Sequence, residues 1–442
     1  MMLKRKGILK YLAGASVLSA ALLLGACGNE SAPEQTNETP GDNNQVVNET
    51  PAPADELEEV TLVMSMWNAG IEFTALADAF QERYPHITID MIDISTDNYV
   101  ERIVTMLAGG ERLDIITNLD MALYVNLAER GQLKDLTDFV QTIDRTNFGD
   151  TLDFMNVDGN GYFGIPYRWH FWALFYNKDL FDAAGIPYPE HITWEEYRQL
   201  ALDLTSGTGN DKVYGAHLHT WRSITHGVAT AQTGNTQLTD DFYFLQDQIE
   251  LVLAMQEEGS IMDFGTILAG SVGYRPRFEM ENAAMIPMGT WYLGELAERA
   301  EFRWGVAPLP QISLDAEITT IGNPTSFSVG ANTAHPEEAL RFIEFATGAE
   351  GAKIIAGIGN VPAYMTDEIL DIYFSFDGMP QDELTRRTFS PDRAELEIDI
   401  SSLTGEIDQI LAEIHELIMV REITVEEGIQ QMNDRVGAAL RR

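Results

Sequence analysis

Apolar and polar positions along the first 120 residues alternate between strand-like and helix-like spacing. Val60–Met66 is an apolar run of strand length. A helix follows it, because apolar residues recur at the i, i+3, i+4, i+7 spacing of a buried helical face: Phe73, Leu76, Ala77 and Phe80. Ile87–Ile92 and Asp114–Ile116 predict two more strands, with a helix between them on Val100, Ile103, Val104 and Leu107. This βαβαβ order predicts a mainly parallel sheet with helices on its faces.

The C-terminal part of the chain is predicted to be more helical. Pro336 opens a helix whose inward positions are Ala339, Phe342, Ile343 and Ala346. Apolar residues at helical spacing from Leu403 to Ile418 predict a long amphipathic helix. Two segments read as capping boxes that start helices, Thr193–Glu196 and Thr424–Glu427.

Ligands of parallel sheets bind at the carboxyl ends of the strands. The first predicted strand ends at Trp67 and Asn68, and the third is followed by Asn118 and Asp120. We therefore expect these four residues at the binding edge of the sheet.

The N-terminal segment has the features of a secretory signal. Lys4, Arg5, Lys6 and Lys10 precede an apolar run of about 16 residues, which is shorter than the roughly 20 residues needed to span a bilayer. Leu24–Cys27 resembles a bacterial lipobox, which implies cleavage of residues 1–26 and lipidation of Cys27. The other interpretation is an unpaired Cys in an ordinary secretory or transmembrane segment. Cys27 is the only Cys, so no disulfide is expected.

Residues 27–56 are predicted to be a disordered tether, because they are polar, rich in Pro and Asn, and lack aromatic residues. About 385 residues follow, too many for one hydrophobic core, so two domains are expected. Loss of four basic residues with the signal would change the formal charge from -41 to -45. Such an acidic surface repels phosphate backbones and anionic lipids, so we expect no nucleic acid partner and membrane attachment through the lipid alone.

The sequence lacks the motifs of the common nucleotide-binding, serine hydrolase and zinc protease sites. His217 and His219 would share one strand face, but no carboxylate or third His lies at ligand spacing, so no metal is expected. No cofactor and no catalytic residue is assigned. Paired carboxylates of a glycosidase are unavoidable among 69 acidic residues, and such pairs are therefore uninformative.

Six blocks occur in an order that resembles extracellular solute-binding proteins of family 1, the maltose-binding-like receptors of carbohydrate ABC importers. They are Phe73–Pro85, Tyr99–Asp114, Asp158–Pro166, Phe175–Glu196, Ala284–Trp291, and Pro336–Gly351 with Val361–Ala363. Each block alone is unspecific, but six in the same order over about 380 residues are distinctive.

The resemblance implies an α/β fold with two lobes, of the type II periplasmic-binding-protein class. Lobe 1 is expected to contain residues 57–165 and 320–366, and lobe 2 residues 166–319 and 367–442. A saccharide would bind between the lobes, which would close by hinge motion, and the receptor would then dock on permease subunits as a monomer. The location implied is extracytoplasmic, on the cell membrane.

Sugars present apolar C–H faces and a rim of hydroxyls, which aromatic plates and Asn or Asp side chains recognise. The candidate ligand-binding residues are Trp67, Asn68, Asn118, Asp120, Tyr167, Trp169, Trp172, Trp221, Trp291 and Asn323. Each could instead be a core or capping residue, and only one or two aromatics between Tyr167 and Phe175 are expected to face a ligand. Trp194 and Trp304 are expected to pack in the core. Arg275 and Arg277 are expected to be solvated or salt-bridged, and would indicate an acidic sugar if they faced the cleft.

Two other functions fit the same sequence. A receptor of this fold could take a non-sugar solute such as a polyamine, a metal or a phosphodiester, and would then need matching charge and fewer aromatic plates. A secreted carbohydrate-active enzyme would turn over an oligosaccharide.

Overall fold

The computed structural model describes residues 58–67 and 70–442, without the side chains of Asp97 and Asp158. The signal segment, Cys27, the tether and Asn68 lie outside the described residues. The strands are β1 Val60–Trp67, β2 Ile87–Ile94, β3 Ile115–Asn118, β4 Ile165–Asn177, β5 Tyr214–Ala216, β6 Ala283–Gly289, β7 Trp304–Ala307, β8 Thr319–Val329 and β9 Arg393–Leu396.

The helices alternate with these strands in the first half of the chain and dominate the last quarter. They are α1 Ile71–Arg83, α2 Tyr99–Ala108, α3 Met121–Glu129, α4 Thr137–Val140, α5 Lys178–Ala184, α6 Trp194–Leu204, α7 Val228–Thr233, α8 Gln246–Glu258, α9 Phe264–Gly270, α10 Tyr274–Glu279, α11 Tyr292–Arg299, α12 Pro336–Thr347, α13 Ala349–Gly357, α14 Asp367–Phe374, α15 Glu383–Thr388, α16 Thr404–Met419 and α17 Val425–Leu440. Among the described residues, no helix combines the length and the hydropathy needed to cross a membrane.

The predicted order of elements at the start of the chain is confirmed. β1 pairs in parallel with β2 from Val60 to Trp67, and in parallel with β3. The four predicted apolar positions of α1 are all buried. The predicted face of α2 is only partly correct, since Val100 is exposed and the buried residues are Tyr99, Ile103 and Met106. Tyr99 turns inward because its hydroxyl donates to the carbonyl of Thr117 and pairs with the hydroxyl of Ser65, at 2.7 and 2.8 Å.

The expectation of a mainly parallel sheet is wrong beyond β3. The strand order is β2-β1-β3-β8-β4-β6-β5, and the pairs β3–β8, β8–β4 and β4–β6 are all antiparallel. β7 pairs with β4 and β9 with β8. The sheet is mixed because β8 runs antiparallel to β3 and β4, and β4 runs antiparallel to β6 and β7. Local periodicity gives no information about strand direction.

β4 connects two groups of strands. Its first part, from Ile165 to Phe171, pairs with β8, and its second part, from Trp172, pairs with β6 and β7. A shift of register between Pro166 and Arg168 leaves Tyr167 as an extra residue, a β-bulge that bends the strand. All 13 residues of β4 are buried, so this strand runs through the core.

The C-terminal helices form as predicted. α12 begins with Pro336 at its first turn and buries the four predicted inward residues. In both predicted capping boxes the Thr hydroxyl accepts from the backbone N–H three residues on and the Glu carboxylate accepts from the Thr backbone N–H. α16 packs against α17 and also touches α3, which brings the long amphipathic helix to the carboxyl edge of β3.

Candidate functional site

A cavity of about 510 Å³ lies where α3 faces α16, and we call it the cleft cavity. One wall is the start of α3 with Asp120. The others are residues 220–227, α9, α16, Asn323 of β8, and Glu397 just after β9. Its volume is within the range of 300 to 1,000 Å³ that is typical of small-molecule sites.

Glu397 organises the inner wall of the cleft cavity. Its Oε2 accepts from Asn323 Nδ2 at 2.8 Å and from Trp172 Nε1 at 3.4 Å, and its Oε1 accepts from the hydroxyl of Ser223. Burial raises the pKa of Glu397, while the three donors and the charge of Arg222 act in the opposite direction. The carboxylate therefore fixes an indole, an amide and a hydroxyl that come from three distant parts of the chain.

The segment after Trp221 approaches Glu397 through a single turn of π-helix, Ser223–Gly227. A Cβ on Gly227 would come within 2.9 Å of Ile321 Cδ1 and 3.2 Å of the Glu397 carbonyl oxygen, so only glycine fits without a shift. Such turns are often found at functional sites. This turn places Ser223 and His226 on the cavity wall.

Arg222 and two histidines form the side of the cavity next to α16. Arg222 is ion-paired with Asp408, and one of its guanidinium nitrogens lies 3.4 Å from His226 Nδ1. The rings of His226 and His415 are perpendicular at 5.0 Å. Burial lowers the pKa of both, that of His415 to about 3, so both imidazoles are neutral at physiological pH.

An aromatic cluster lies beside the cleft cavity. Trp221 is 42% exposed and lines the cavity. The centroid of its ring lies 4.0 Å from that of His219, 5.9 Å from that of Tyr274, and 6.1 Å from those of Trp172 and Trp291. Trp221 is therefore an indole whose position is set by its neighbours, while much of its face remains available.

Trp291 is held close to the backbone of β6. Its indole N–H donates to the Tyr274 hydroxyl at 3.2 Å, and its ring packs edge-on to Trp172 and His170. A Cβ on Gly289 would overlap the Trp291 indole. Gly289 thus makes room for this ring, and Trp291 supports Trp221 and Trp172 from behind.

Asp120 forms the opposite wall, and Asn118 lies below it in the core. Asp120 Oδ1 accepts from the backbone N–H of Leu123 at 2.8 Å and so caps α3. Burial, and to a smaller extent the charge of Asp408, raise the pKa of Asp120. Asn118 is buried and donates to Ser326 and Ser328 at 2.9 and 2.7 Å, which joins β3 to β8.

The structure thus brings five of the sequence candidates to one place: Asp120, Trp172, Trp221, Trp291 and Asn323. Trp67, Tyr167 and Trp169 lie elsewhere, and each is at least 90% buried. Trp67 packs edge-on against Phe73 and Tyr99, Tyr167 stacks on Phe327 at 4.3 Å, and Trp169 stacks on Phe154 at 5.6 Å. Their surroundings are those of core residues.

The residues that were expected to be structural have such surroundings. Trp194 is buried and donates to Gln232 at 3.1 Å, and Trp304 is buried against Phe175. Arg275 is bound by both carboxylate oxygens of Glu295. Among the described residues, no group of three His, Asp or Glu side chains has an arrangement that could hold a metal ion.

A second cavity, of about 560 Å³, lies between Tyr188, Trp304 and the segment Gly378–Asp382. Its charged groups are already paired. Lys178 is bound to Asp382 at 3.0 Å, and Arg303 to Asp179 and Asp182 at 2.6 Å. It offers no converging unpaired polar groups, so the cleft cavity is the better candidate.

Sequence reasoning missed Glu397, Arg222, Ser223 and Asp408. Glu397 follows β9 directly, at a strand end, and this was the signal that could have found it. Its strand is only four residues long, half-buried and without alternation. One carboxylate among 69 acidic residues also gives no local reason to be singled out.

The comparisons with known proteins agree with this architecture. The profile of the family described as bacterial extracellular solute-binding protein matches residues 68–353. The structure of a sugar transporter of Rhizobium etli in an open conformation has a TM-score of 0.75 and 31% sequence identity, over 86% of this chain and 99% of that one.

Two relatives are more distant in sequence. A lipoprotein of Streptomyces antibioticus of uncharacterised function is 26% identical over 291 residues, which are 61% of this chain and 62% of that protein. The arabinooligosaccharide-binding protein of Halalkalibacterium halodurans is 21% identical over 322 residues, 69% of this chain and 71% of that one. The two-lobed α/β fold and the family resemblance seen in the sequence are thereby confirmed. Since the profile covers more than half of the 442 residues, the protein belongs to the family of bacterial extracellular solute-binding proteins.

Proposed function

We propose that this protein captures a mono- or oligosaccharide in the cleft cavity and delivers it to the permease subunits of an ABC importer. The observation that carries the proposal is the half-exposed indole of Trp221 beside a wall of carboxylate, amide and hydroxyl groups. The names of two similar proteins, the sugar transporter and the arabinooligosaccharide-binding protein, support the same class of ligand.

The chemistry of the cavity suits a sugar ring. The apolar C–H face of the ring would stack on Trp221, which is large, flat and already held by His219 and Tyr274. The hydroxyl rim would meet Asp120 on one side and the Glu397–Asn323 pair on the other. A few placed polar groups around an apolar surface are what fixes the orientation of a small ligand.

The lobes that we propose are residues 57–165 with 320–366, and residues 166–319 with 367–442. The strand pairing supports this division, because β4 and β8 run between the two groups of strands. On this division Asp120 and Asn323 belong to lobe 1, while Trp221 and Glu397 belong to lobe 2. A sugar that contacts both walls would favour the closed arrangement, by as much as its affinity for the two arrangements differs.

We further propose that a lipid on Cys27 anchors the mature protein outside the cytoplasm. Replacement of Cys27 by Ala should release the protein from the membrane fraction and abolish its labelling by a radioactive fatty acid. Labelling that persists in the variant would contradict the anchor.

The function is tested by a thermal-shift screen of the purified protein with sugars, polyamines, organic acids and phosphodiesters. We expect saccharides to raise the melting temperature, since a ligand that binds only the folded state stabilises it by mass action. A rise with a non-sugar alone would refute the carbohydrate assignment. Chromatography of the incubated saccharide should show it unchanged, and released product would identify an enzyme instead.

A further inference from the structure

The charges that line the cleft cavity are unbalanced. Four carboxylates face it, those of Asp120, Glu397, Asp408 and Glu416, whereas Arg222 is the only Lys or Arg among the described lining residues. Arg222 is already ion-paired with Asp408. Three of the carboxylates therefore have no cation of their own in the cavity wall, and Asp120 and Glu397 are half-buried rather than freely solvated.

A second, independent feature of the cavity wall is a buried polar atom without a partner in the described part of the chain. His226 is 1% exposed, lines the cavity, and its Nε2 has no hydrogen-bond partner among the described residues. Its Nδ1 faces the guanidinium of Arg222, which can only donate, so Nδ1 is the acceptor and Nε2 carries the hydrogen of the neutral ring. A buried donor of this kind needs an acceptor, and a hydroxyl oxygen of a ligand would supply it.

We propose that the cleft cavity selects its ligand by charge and takes a cationic, amino-substituted saccharide in preference to a neutral one and to a uronic acid. The inference rests on the proposed function for the saccharide part and on the lining charges for the cationic part. An ammonium group beside Asp120 would compensate a carboxylate that has no cation of its own in the described cavity wall. An anionic sugar would instead add a fourth uncompensated charge.

Two further observations agree with this preference. Arg275, which would have favoured an acidic sugar in the cleft, is bound to Glu295 instead. The exposed face of Trp221 can accept a cation as well as a C–H face, because the ring quadrupole attracts positive charge. The same plate thus serves a sugar ring that carries an amino group.

The test compares matched ligands at pH 6 and low salt, by thermal shift and by calorimetry. The probes are glucose, glucosamine and glucuronate, the β-1,4-linked disaccharides of each, and spermidine. We expect the amino sugars to bind at least tenfold more tightly than the neutral ones, and the uronates most weakly. The preference should shrink in 0.5 M NaCl, because added salt screens partly exposed charges.

The variant Asp120→Asn isolates the charge, because Asn is an equally good helix N-cap. We expect it to lower the ratio of amino-sugar to neutral-sugar affinity at least fivefold. Asp382→Asn, another N-cap aspartate but remote from the cleft cavity, should leave the ratio unchanged.

The possible results separate the two proposals. Equal or tighter binding of neutral sugars would overturn charge selection and leave the saccharide function standing. Binding of spermidine without any saccharide would support the charge argument and overturn the sugar. A screen in which no probe stabilises the protein would contradict both.

Discussion

Replacement of Trp221 by Ala should weaken binding of the saccharide about tenfold. A whole Trp side chain offers roughly 250 Å², so the exposed 42% corresponds to about 105 Å². A stacked ring covers about half of this, roughly 50 Å², which at 25 cal/mol per Å² is worth about 1.3 kcal/mol. Since 1.4 kcal/mol is a factor of ten in Kd, the expected loss is close to tenfold.

Calorimetry with the saccharide that gives the largest thermal shift measures this loss. Trp221→Phe is the matched control, because it keeps an aromatic face of smaller area and should lose less than Trp221→Ala. Because Trp221 is already 42% exposed, neither variant should lower the melting temperature of the free protein by more than a few degrees. A Kd that stays within twofold of the original in Trp221→Ala, with an intact melt, would refute the stacking role.

Three further predictions concern buried groups inside and outside the site. Because burial raises the pKa of Glu397, its ionisation favours the unfolded chain, and the free energy of unfolding should fall as pH rises above its ordinary pKa of 4.5. In urea titrations at several pH values, Glu397→Gln should flatten this fall. An unchanged dependence of the unfolding free energy on pH would contradict the raised pKa. Arg168→Met should cost about 3–5 kcal/mol of unfolding free energy, the range for breaking a buried ion pair, because it leaves Glu72, 2.6 Å away, unpaired. Adding Glu72→Gln should recover part of the loss. A cost below about 1 kcal/mol would show that the pair is solvated. Trp67→Ala should cost about 3–5 kcal/mol of unfolding free energy as a core substitution while Kd changes less than threefold, and a tenfold weakening of binding would place Trp67 in the site.

The elements that the sequence predicted are those whose determinants are local. α1 could be located because four apolar residues within eight positions define one face, and Pro85 limits its end. The capping boxes at Thr193 and Thr424 form as expected because all their hydrogen bonds join residues three apart. Such features require no knowledge of the rest of the chain.

The face of α2 shows where local reasoning fails. Val100 lies three positions before Ile103 and Tyr99 lies four positions before it, so either residue could share a helical face with Ile103. Periodicity alone favours Val100, because it is apolar. Tyr99 is buried because Ser65 on β1 and Thr117 on β3 satisfy its hydroxyl, and both are remote in sequence. A polar atom that is paired in the core is invisible to a pattern of apolar positions.

The candidate site was predictable only in part for the same reason. Trp221 and Trp291 could be proposed because aromatic residues near strand ends are few. Glu397 could not, because its role depends on three donors, and Trp172 lies 225 positions earlier in the chain. Its partners Trp172 and Asn323 come close to the carboxylate only in the folded chain, where β4 and β9 both pair with β8.

The position of Glu397 also bears on which contacts of a ligand would favour closure of the lobes. Asn323 and Trp172 come from β8 and β4, the two strands that run between the proposed lobes, and both hold the carboxylate of Glu397. Asp120 caps α3, and the hydrogen bond described above for its carboxylate comes from the backbone N–H of Leu123, not from this cluster. Under the proposed boundaries, contacts to Trp221 and Glu397 form in either arrangement, whereas a contact to Asp120 requires α3 to lie close to α16, as it does in this structure. A ligand group that reaches Asp120 therefore supplies the difference in affinity that shifts the population towards closure.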